Sequence, residues 1–120
     1  MSPVVIDASI AVRWFIPDER EPESDALFQR LISLTETAHV PPHFFVEVFS
    51  ALYQATQEGR FPEQLLSQVI PDLKQYPIVI NEPSLLWKRA ADLGKANRIS
   101  GGQAIDLVYL ALADLLELPF

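Results

Sequence analysis

Short apolar runs and helically spaced apolar positions alternate along this chain. Residues 3–7, PVVID, form a β-branched run without polar alternation, which is typical of a strand covered on both faces. The runs AHV at 38–40 and PIVI at 77–80 repeat that pattern. Between and after them, apolar residues recur every three or four positions, as on the buried face of a helix. The order of elements predicts an α/β fold with a mainly parallel central sheet.

Two helices are predicted between the first two strands. Ser9 is the expected cap of a helix over IAVRWF, which ends before Pro17. A second helix is expected over residues 24–35, where the leucines, Leu34 included, recur on one face. The loop between these helices is charged and is expected to be solvated.

A third helix and a broken fourth one are predicted in the middle of the chain. Residues 44–57 have amphipathic spacing, and Gly59 is placed to end that helix. In FPEQLLSQVIPDLKQY, Pro71 lies inside the apolar pattern and removes a helical hydrogen-bond donor, so a broken helix is expected.

Two further helices are predicted after the third strand. Residues 84–97 have helical spacing, with Ser84 as the expected cap. Ser100 and Gln103 have the spacing of a capping box, which would start the last helix just before Ile105.

Composition limits the classes of protein to which the chain can belong. A hydrophobic fraction of 49% and a charged fraction of 21% indicate one globular domain over residues 1–120. Cysteine is absent, which excludes disulfides, zinc-thiolate sites and cysteine nucleophiles. With no signal-peptide pattern and no apolar run of the ~20 residues that span a bilayer, we expect a cytoplasmic protein without membrane association. The net charge of −7 argues against broad adhesion to nucleic acid, unless some acids bind cations.

Three acids lie in apolar sequence. Asp7 ends the first strand, Glu47 lies in the opening turn of its helix, and Asp106 interrupts AIDLVYLAL. Each also has an ordinary explanation: a loop cap for Asp7, the helix dipole for Glu47 and solvent exposure for Asp106. If the three converge at one edge of the sheet, their mutual repulsion requires a shared cation or proton. Such an oxygen-rich site suits Mg²⁺ or Mn²⁺ and favours phosphodiester hydrolysis.

Three segments resemble the successive motifs of the PIN-domain nucleases, particularly VapC-like toxins of toxin–antitoxin systems. They are VVIDAS at 4–9, PPHFFVEVFSAL at 41–52 and AIDLVYLALADLLELPF at 104–120. The resemblance implies a three-layer α/β/α fold and a magnesium- or manganese-dependent endoribonuclease that cleaves RNA with a metal-activated water. By the matching positions, Asp7, Glu47 and Asp106 would be the catalytic, metal-binding acids, and Ser9 would support the site. The family also implies a cognate antitoxin protein as partner, and its toxins often form homodimers.

The resemblance is incomplete at the C-terminal end. PIN domains typically continue into a fourth strand that ends in a further aspartate, whereas this sequence stops at Phe120. Asp114 is a poor substitute, because eight residues along one helix rotate it ~80° from Asp106, so it is expected to face solvent. The expected fold is therefore short at its C-terminus. The alternatives are a catalytically weak or inactive PIN-like binding or assembly module, or a chain whose exposed sheet edge pairs with another copy.

Other residues of the chain have candidate roles, and two other protein classes fit its sequence less well. Arg13 is a candidate contact for substrate phosphate, and Trp14 is either a base contact or a core residue. His39 and His43 are expected to be structural. A phosphatase that uses Asp7 as nucleophile would normally carry a second acid two residues later, where this chain has Ser9. A dinucleotide-binding fold lacks its glycine-rich fingerprint here.

Overall fold

The computed structural model describes residues 2–98 and 104–120. The sheet has the strand order β1-β2-β3, and both pairings are parallel, with Ala38 opposite Val4 on one side and Ile78 on the other. The predicted α/β fold with a parallel sheet is confirmed. Its strands are β1 (Ser2–Val5), β2 (Glu36–Val40) and β3 (Ile78–Ile80).

Helices connect and follow these strands in the predicted order. The described α-helices are α1 (Ala8–Arg13), α2 (Pro22–Ile32), α3 (Phe44–Gln57), α4 (Val69–Leu73), α5 (Leu86–Asn97) and α6 (Ala104–Leu116). Two short 3-10 turns, Pro17–Glu19 and Glu63–Gln68, precede α2 and α4. No helix within the described residues is long and apolar enough to cross a membrane.

The start of α1 differs from the prediction in one residue that matters for the site. Asp7 has an extended backbone and is the N-cap, and its Oδ1 accepts a hydrogen bond from the Ile10 amide at 3.2 Å. Ser9 lies inside the first turn and donates its hydroxyl to the same oxygen at 2.6 Å. The expectation that Ser9 caps the helix was therefore wrong. The acid that ends the strand segment also begins the helix.

The second helix is displaced toward the N-terminus relative to its prediction. It begins at Pro22, whose fixed φ suits a first helical turn, and it ends at Ile32. Leu34 lies beyond the end in a left-handed conformation, with φ of 62°, and is 62% exposed. The prediction that Leu34 shares the buried leucine face was wrong, because the chain has already left the helix there.

The later helices follow their patterns more closely. Helix α3 covers the predicted residues, and Gly59 follows it in the left-handed conformation, with φ of 74°. The predicted broken helix is confirmed as a 3-10 turn that leads into α4, with Pro71 in that helix's first turn. Leu85, not Ser84, precedes α5, and no side chain caps it, so that expectation was wrong. The predicted capping box of residues 100–103 lies outside the described residues.

A hydrophobic core fixes α3 and α6 against the sheet. In α3 the fully buried side chains recur every three or four residues, at Phe44, Val48, Leu52 and Ala55. Helix α6 contributes Tyr109 and Leu112 to the same cluster. Helix α3 begins four residues after the last residue of β2, so its first turn lies near the carboxyl end of the sheet.

After α6 the chain returns to β1. Glu117 is left-handed, with φ of 55°, and the Val5 amide donates a hydrogen bond to the Pro119 carbonyl at 2.9 Å. A groove of about 430 Å³ follows β1 and α2 at this edge, with Phe120 among the residues that line it. The last residues thus lie beside the edge of β1 that faces away from β2.

Candidate active site

Asp7 stands where β1 gives way to α1, at the carboxyl end of the sheet. Because Oδ1 receives both the Ser9 hydroxyl and the Ile10 amide, the carboxylate is held in one orientation by the helix that it caps. The carboxyl ends of parallel strands border the ligand crevice in open α/β sheets. Asp7 therefore combines a structural role with a place where a ligand site is expected.

Glu47 enters from the first turn of α3, which follows β2. Its Oε1 accepts a hydrogen bond from the Tyr109 hydroxyl of α6 at 2.5 Å. The Nε2 atom of His43 lies 3.1 Å from the same oxygen, but the contact does not have hydrogen-bond geometry. One oxygen of Glu47 thus makes the contacts with α6 and with the preceding turn.

A cleft of about 330 Å³, lined by both apolar and polar side chains, lies between α1 and α3. Ser9, Arg13, Glu19 and Glu47 all line it. The structure therefore brings three of the predicted site residues, Ser9, Arg13 and Glu47, to one cavity. Asp7 lines the groove along β1 and α2 instead, and it contacts a residue of this cleft through the hydrogen bond from Ser9. The Arg13 guanidinium contacts Glu21 at 2.5 Å and remains 36% exposed, so it presents positive charge at the rim of the cleft.

The pKa of the Tyr109 hydroxyl reflects the burial of this group and the negative charges close to it. Burial raises the pKa of the Tyr109 phenol well above its usual range, and the hydrogen bond and negative charge of Glu47 raise it further. The charge of Asp7 acts in the same direction, against an opposing backbone hydrogen bond from Ala8. Asp7 and Glu47 therefore both act on one buried hydroxyl, which stays protonated and serves as a donor at neutral pH.

Asp106 occupies the first turn of α6 and is exposed. It precedes Tyr109 by three residues, a spacing that places two side chains on the same side of a helix about one turn apart. Among residues 2–98 and 104–120, however, no three histidine, aspartate or glutamate side chains are grouped closely enough to hold a metal ion. Convergence of Asp106 with Asp7 and Glu47 stays a prediction.

The donor chemistry of the acids fits a hard divalent cation. Mg²⁺ and Mn²⁺ prefer carboxylate and water oxygens, and Mg²⁺ typically takes only one or two protein carboxylates and keeps several waters. The described hydrogen bonds of Asp7 and Glu47 each use a single oxygen, Oδ1 and Oε1. Asp7 and Glu47 therefore offer the type of oxygen ligand that such an ion prefers. In the described part of the chain, no third carboxylate is grouped with them closely enough to hold a metal ion.

A second, apolar groove of about 410 Å³ adjoins Glu47 on its other side. His43, Val46, Trp87, Ile105 and Val108 line it together with Glu47. Trp87 is 54% exposed there, whereas Trp14 is buried and donates its indole N–H to the Ser24 carbonyl at 2.9 Å. Trp14 is thus a core residue, and Glu47 lines both this apolar groove and the cleft between α1 and α3.

Asp114 lies outside the site, as expected. It is exposed on α6, where it accepts a hydrogen bond from the Arg89 guanidinium of α5. Lys88 pairs with Asp92 in the same way, at 2.9 Å. These two bridges pair Lys88 and Arg89 of α5 with acids, and Asp114 is confirmed as a surface residue.

The sequence patterns did not predict that Tyr109 and His43 contact Glu47. Tyr109 read as one more apolar position of the last helix, and His43 as a structural histidine. The ring of His43 packs edge-on against Tyr109, with centroids 5.2 Å apart. A tyrosine three residues after an embedded acid, at a fully buried position, is the signal that could have indicated a polar partner, because a buried hydroxyl needs one.

Comparison with known proteins adds independent information. The family model of the PIN domain matches residues 4–120, a range that includes Asp7, Glu47 and Asp106. A protein named "Ribonuclease VapC12" from Mycobacterium tuberculosis (strain CDC 1551 / Oshkosh) is 32% identical over 125 residues, which cover 97% of this chain and 82% of the relative. The protein of the same name from strain ATCC 25618 / H37Rv gives the same values.

Proposed function

Because this chain belongs to the PIN-domain family, we propose that it is a divalent-metal-dependent endoribonuclease, the toxin component of a toxin–antitoxin system. One observation supports the proposal above all others. Within the range matched by the family, Ser9, Arg13 and Glu47 line one cleft, and the Ser9 hydroxyl donates a hydrogen bond to Asp7. The name of the relative from M. tuberculosis, a ribonuclease, supports RNA as the substrate.

The proposed cofactor is Mg²⁺ or Mn²⁺. Asp7, Glu47 and Asp106 would hold it, since they are the carboxylates at the family's motif positions. Such an ion, when bound, lowers the pKa of a water and neutralises charge that develops on a phosphoryl group. No histidine, serine or cysteine nucleophile is needed for this chemistry.

Other residues of the chain orient the acids and bind the substrate. Ser9 and the Ile10 amide hold one oxygen of Asp7. Arg13, at the rim of the cleft, offers a guanidinium to a substrate phosphate, which would compete with Glu21 for it. Because the net charge is −7, we propose that local contacts of this kind, rather than a broad basic surface, bind the RNA.

We also propose that the protein is cytoplasmic, forms a homodimer and is bound by a cognate antitoxin. Large apolar side chains of α3 are exposed, with Val46 69% and Phe49 43% accessible, and Val46 lines the apolar groove together with Glu47. Exposed apolar patches of this kind are typical of surfaces that bind proteins. A partner seated there would lie directly next to Glu47.

A PIN-like binding module without catalytic activity is the second candidate function. The absence of a three-acid group among the described residues favours it. Such a module would remain folded and bind a partner but would cleave no RNA with either metal. The two candidates therefore differ in a single measurable property, which is metal-dependent cleavage.

Replacing Asp106 with asparagine tests the proposed site on the last helix. We expect Asp106→Asn to slow magnesium-dependent cleavage of single-stranded RNA at least about tenfold, because a metal-binding charge is lost without a change of shape. Asp114→Asn is the matched control, since Asp114 is also exposed on α6 but pairs with Arg89 on the surface. Initial rates on a fluorogenic RNA give the comparison. Equal rates for the two variants would remove Asp106 from the site.

A further inference from the structure

Tyr109 connects the two helices that carry proposed metal-binding acids. Its side chain, 1% exposed, extends from α6 to α3 and donates its hydroxyl to Oε1 of Glu47, a residue 62 positions earlier, at 2.5 Å. The ring is fixed on both sides, since it stacks on Phe120 with planes 3° apart and receives the edge of His43. The donor is therefore held in place before any ligand binds.

Glu47 is the side chain that benefits from this restraint. Glutamate has three rotatable bonds, and the Glu47 side chain is 28% exposed, so packing alone does not fix it. The hydrogen bond from Tyr109 holds Oε1 of Glu47 toward α6, while Glu47 also lines the cleft between α1 and α3 with Ser9 and Arg13. Holding one oxygen of a carboxylate fixes the direction of the other.

We propose that Tyr109 is a positioning residue, which orients the carboxylate of Glu47 for cation binding in the cleft between α1 and α3. This inference rests on the proposed function of that cleft. Hydrogen-bond partners of metal-binding carboxylates generally set their orientation, and losing one typically lowers metal affinity by 10- to 100-fold.

The neighbouring groups show why the hydroxyl, rather than the ring, carries this role. Packing against Phe120 and His43 involves the ring alone and would survive in Tyr109→Phe. His43 approaches the same Glu47 oxygen at 3.1 Å without hydrogen-bond geometry, so in this arrangement the described side-chain donor to that oxygen is Tyr109. Tyr109→Phe thus removes one contact and little else.

The experiment compares Mn²⁺ affinity, measured by calorimetry without RNA, for the wild-type chain and Tyr109→Phe. We expect the dissociation constant to rise about tenfold in the variant. Tyr76→Phe is the matched control, because the Tyr76 ring packs on Phe28, at a centroid distance of 5.4 Å, and has no described contact with Glu47; its affinity should be unchanged. A purely structural role for Tyr109 would lower thermal stability but leave the affinity of the folded protein unchanged, which would overturn the proposal.

A double-mutant cycle shows whether Tyr109 acts through Glu47. In the Glu47→Gln background, Tyr109→Phe should have no further effect on Mn²⁺ affinity, and a full additional tenfold loss there would contradict the proposal. If Tyr109→Phe does not fold, Glu47→Asp is used instead. Its side chain is one methylene shorter, so its carboxylate lies farther from the Tyr109 hydroxyl and the variant should also bind Mn²⁺ more weakly. Affinity unchanged in Glu47→Asp would likewise overturn the role.

Failure of this inference differs from failure of the proposed function. A wild-type chain that binds Mn²⁺ and cleaves RNA, together with an unaffected Tyr109→Phe, removes the positioning role and leaves the nuclease. Binding of Mn²⁺ that depends on Tyr109, without cleavage of RNA, supports the inference and overturns the nuclease. A wild-type chain that does not bind Mn²⁺ overturns both.

Discussion

Replacing Asp7 with asparagine is expected to lower the rate of metal-dependent RNA cleavage by more than about 100-fold, which corresponds to about 2.7 kcal/mol of activation free energy. The fold should be retained, with the free energy of unfolding changed by less than about 0.5 kcal/mol, because asparagine caps helices as well as aspartate does. The amide oxygen can still accept the Ser9 hydroxyl and the Ile10 amide. Only the negative charge is lost.

Asp7→Ala separates the two roles of this residue. Alanine removes the cap of α1 as well as the charge, so it should be as inactive as Asp7→Asn and also less stable by about 1 kcal/mol. Initial cleavage rates and urea unfolding of the same preparations give both quantities. A catalytically competent Asp7→Asn would show that the acid is a helix cap alone, and the proposed site would lose its first member.

Truncating Phe44 to alanine is expected to cost about 3–5 kcal/mol of unfolding free energy, a large part of what a domain of this size has. Phe44 is fully buried at the start of α3, and its ring packs edge-on against Phe45, at a centroid distance of 5.1 Å. The cavity would open one turn from Glu47. We therefore expect activity to fall together with stability in this variant.

Phe49→Ala is the matched control on the same helix. Phe49 is 43% exposed, so its truncation should change the free energy of unfolding by about 1 kcal/mol or less. Urea unfolding curves of the two variants and the wild type measure the difference. Similar losses at both positions would contradict the packing of α3 described above.

The elements that the sequence predicts well are those fixed by strong periodicity. Helix α3 was predicted at its observed bounds because its buried residues recur every three or four positions and Gly59 takes the left-handed conformation after it. The strands were also predicted well, because apolar β-branched runs without polar alternation are typical of buried strands. Helix ends were less predictable, because several residue types can cap: Asp7 rather than Ser9 caps α1, and no side chain caps α5.

The site could be predicted in part. Asp7, Glu47 and Asp106 were recognisable as acids in apolar sequence, and Ser9 and Arg13 do line the cleft beside Glu47. The link between Glu47 and Tyr109 was not recognisable, because it joins residues 62 positions apart through the packing of α6 on α3. Local patterns carry no information on such a pairing, and only the tertiary fold brings the two side chains together.

Cleavage of single-stranded RNA by the wild-type chain, with and without a divalent ion, tests the central claim most directly. We expect no cleavage after treatment with EDTA and recovery of cleavage on addition of excess Mg²⁺ or Mn²⁺, with Asp7→Asn inactive under the same conditions. A wild-type chain that is folded by circular dichroism but leaves the RNA intact with both ions would contradict the account. Cleavage that persists in EDTA, or in Asp7→Asn at the wild-type rate, would contradict it equally.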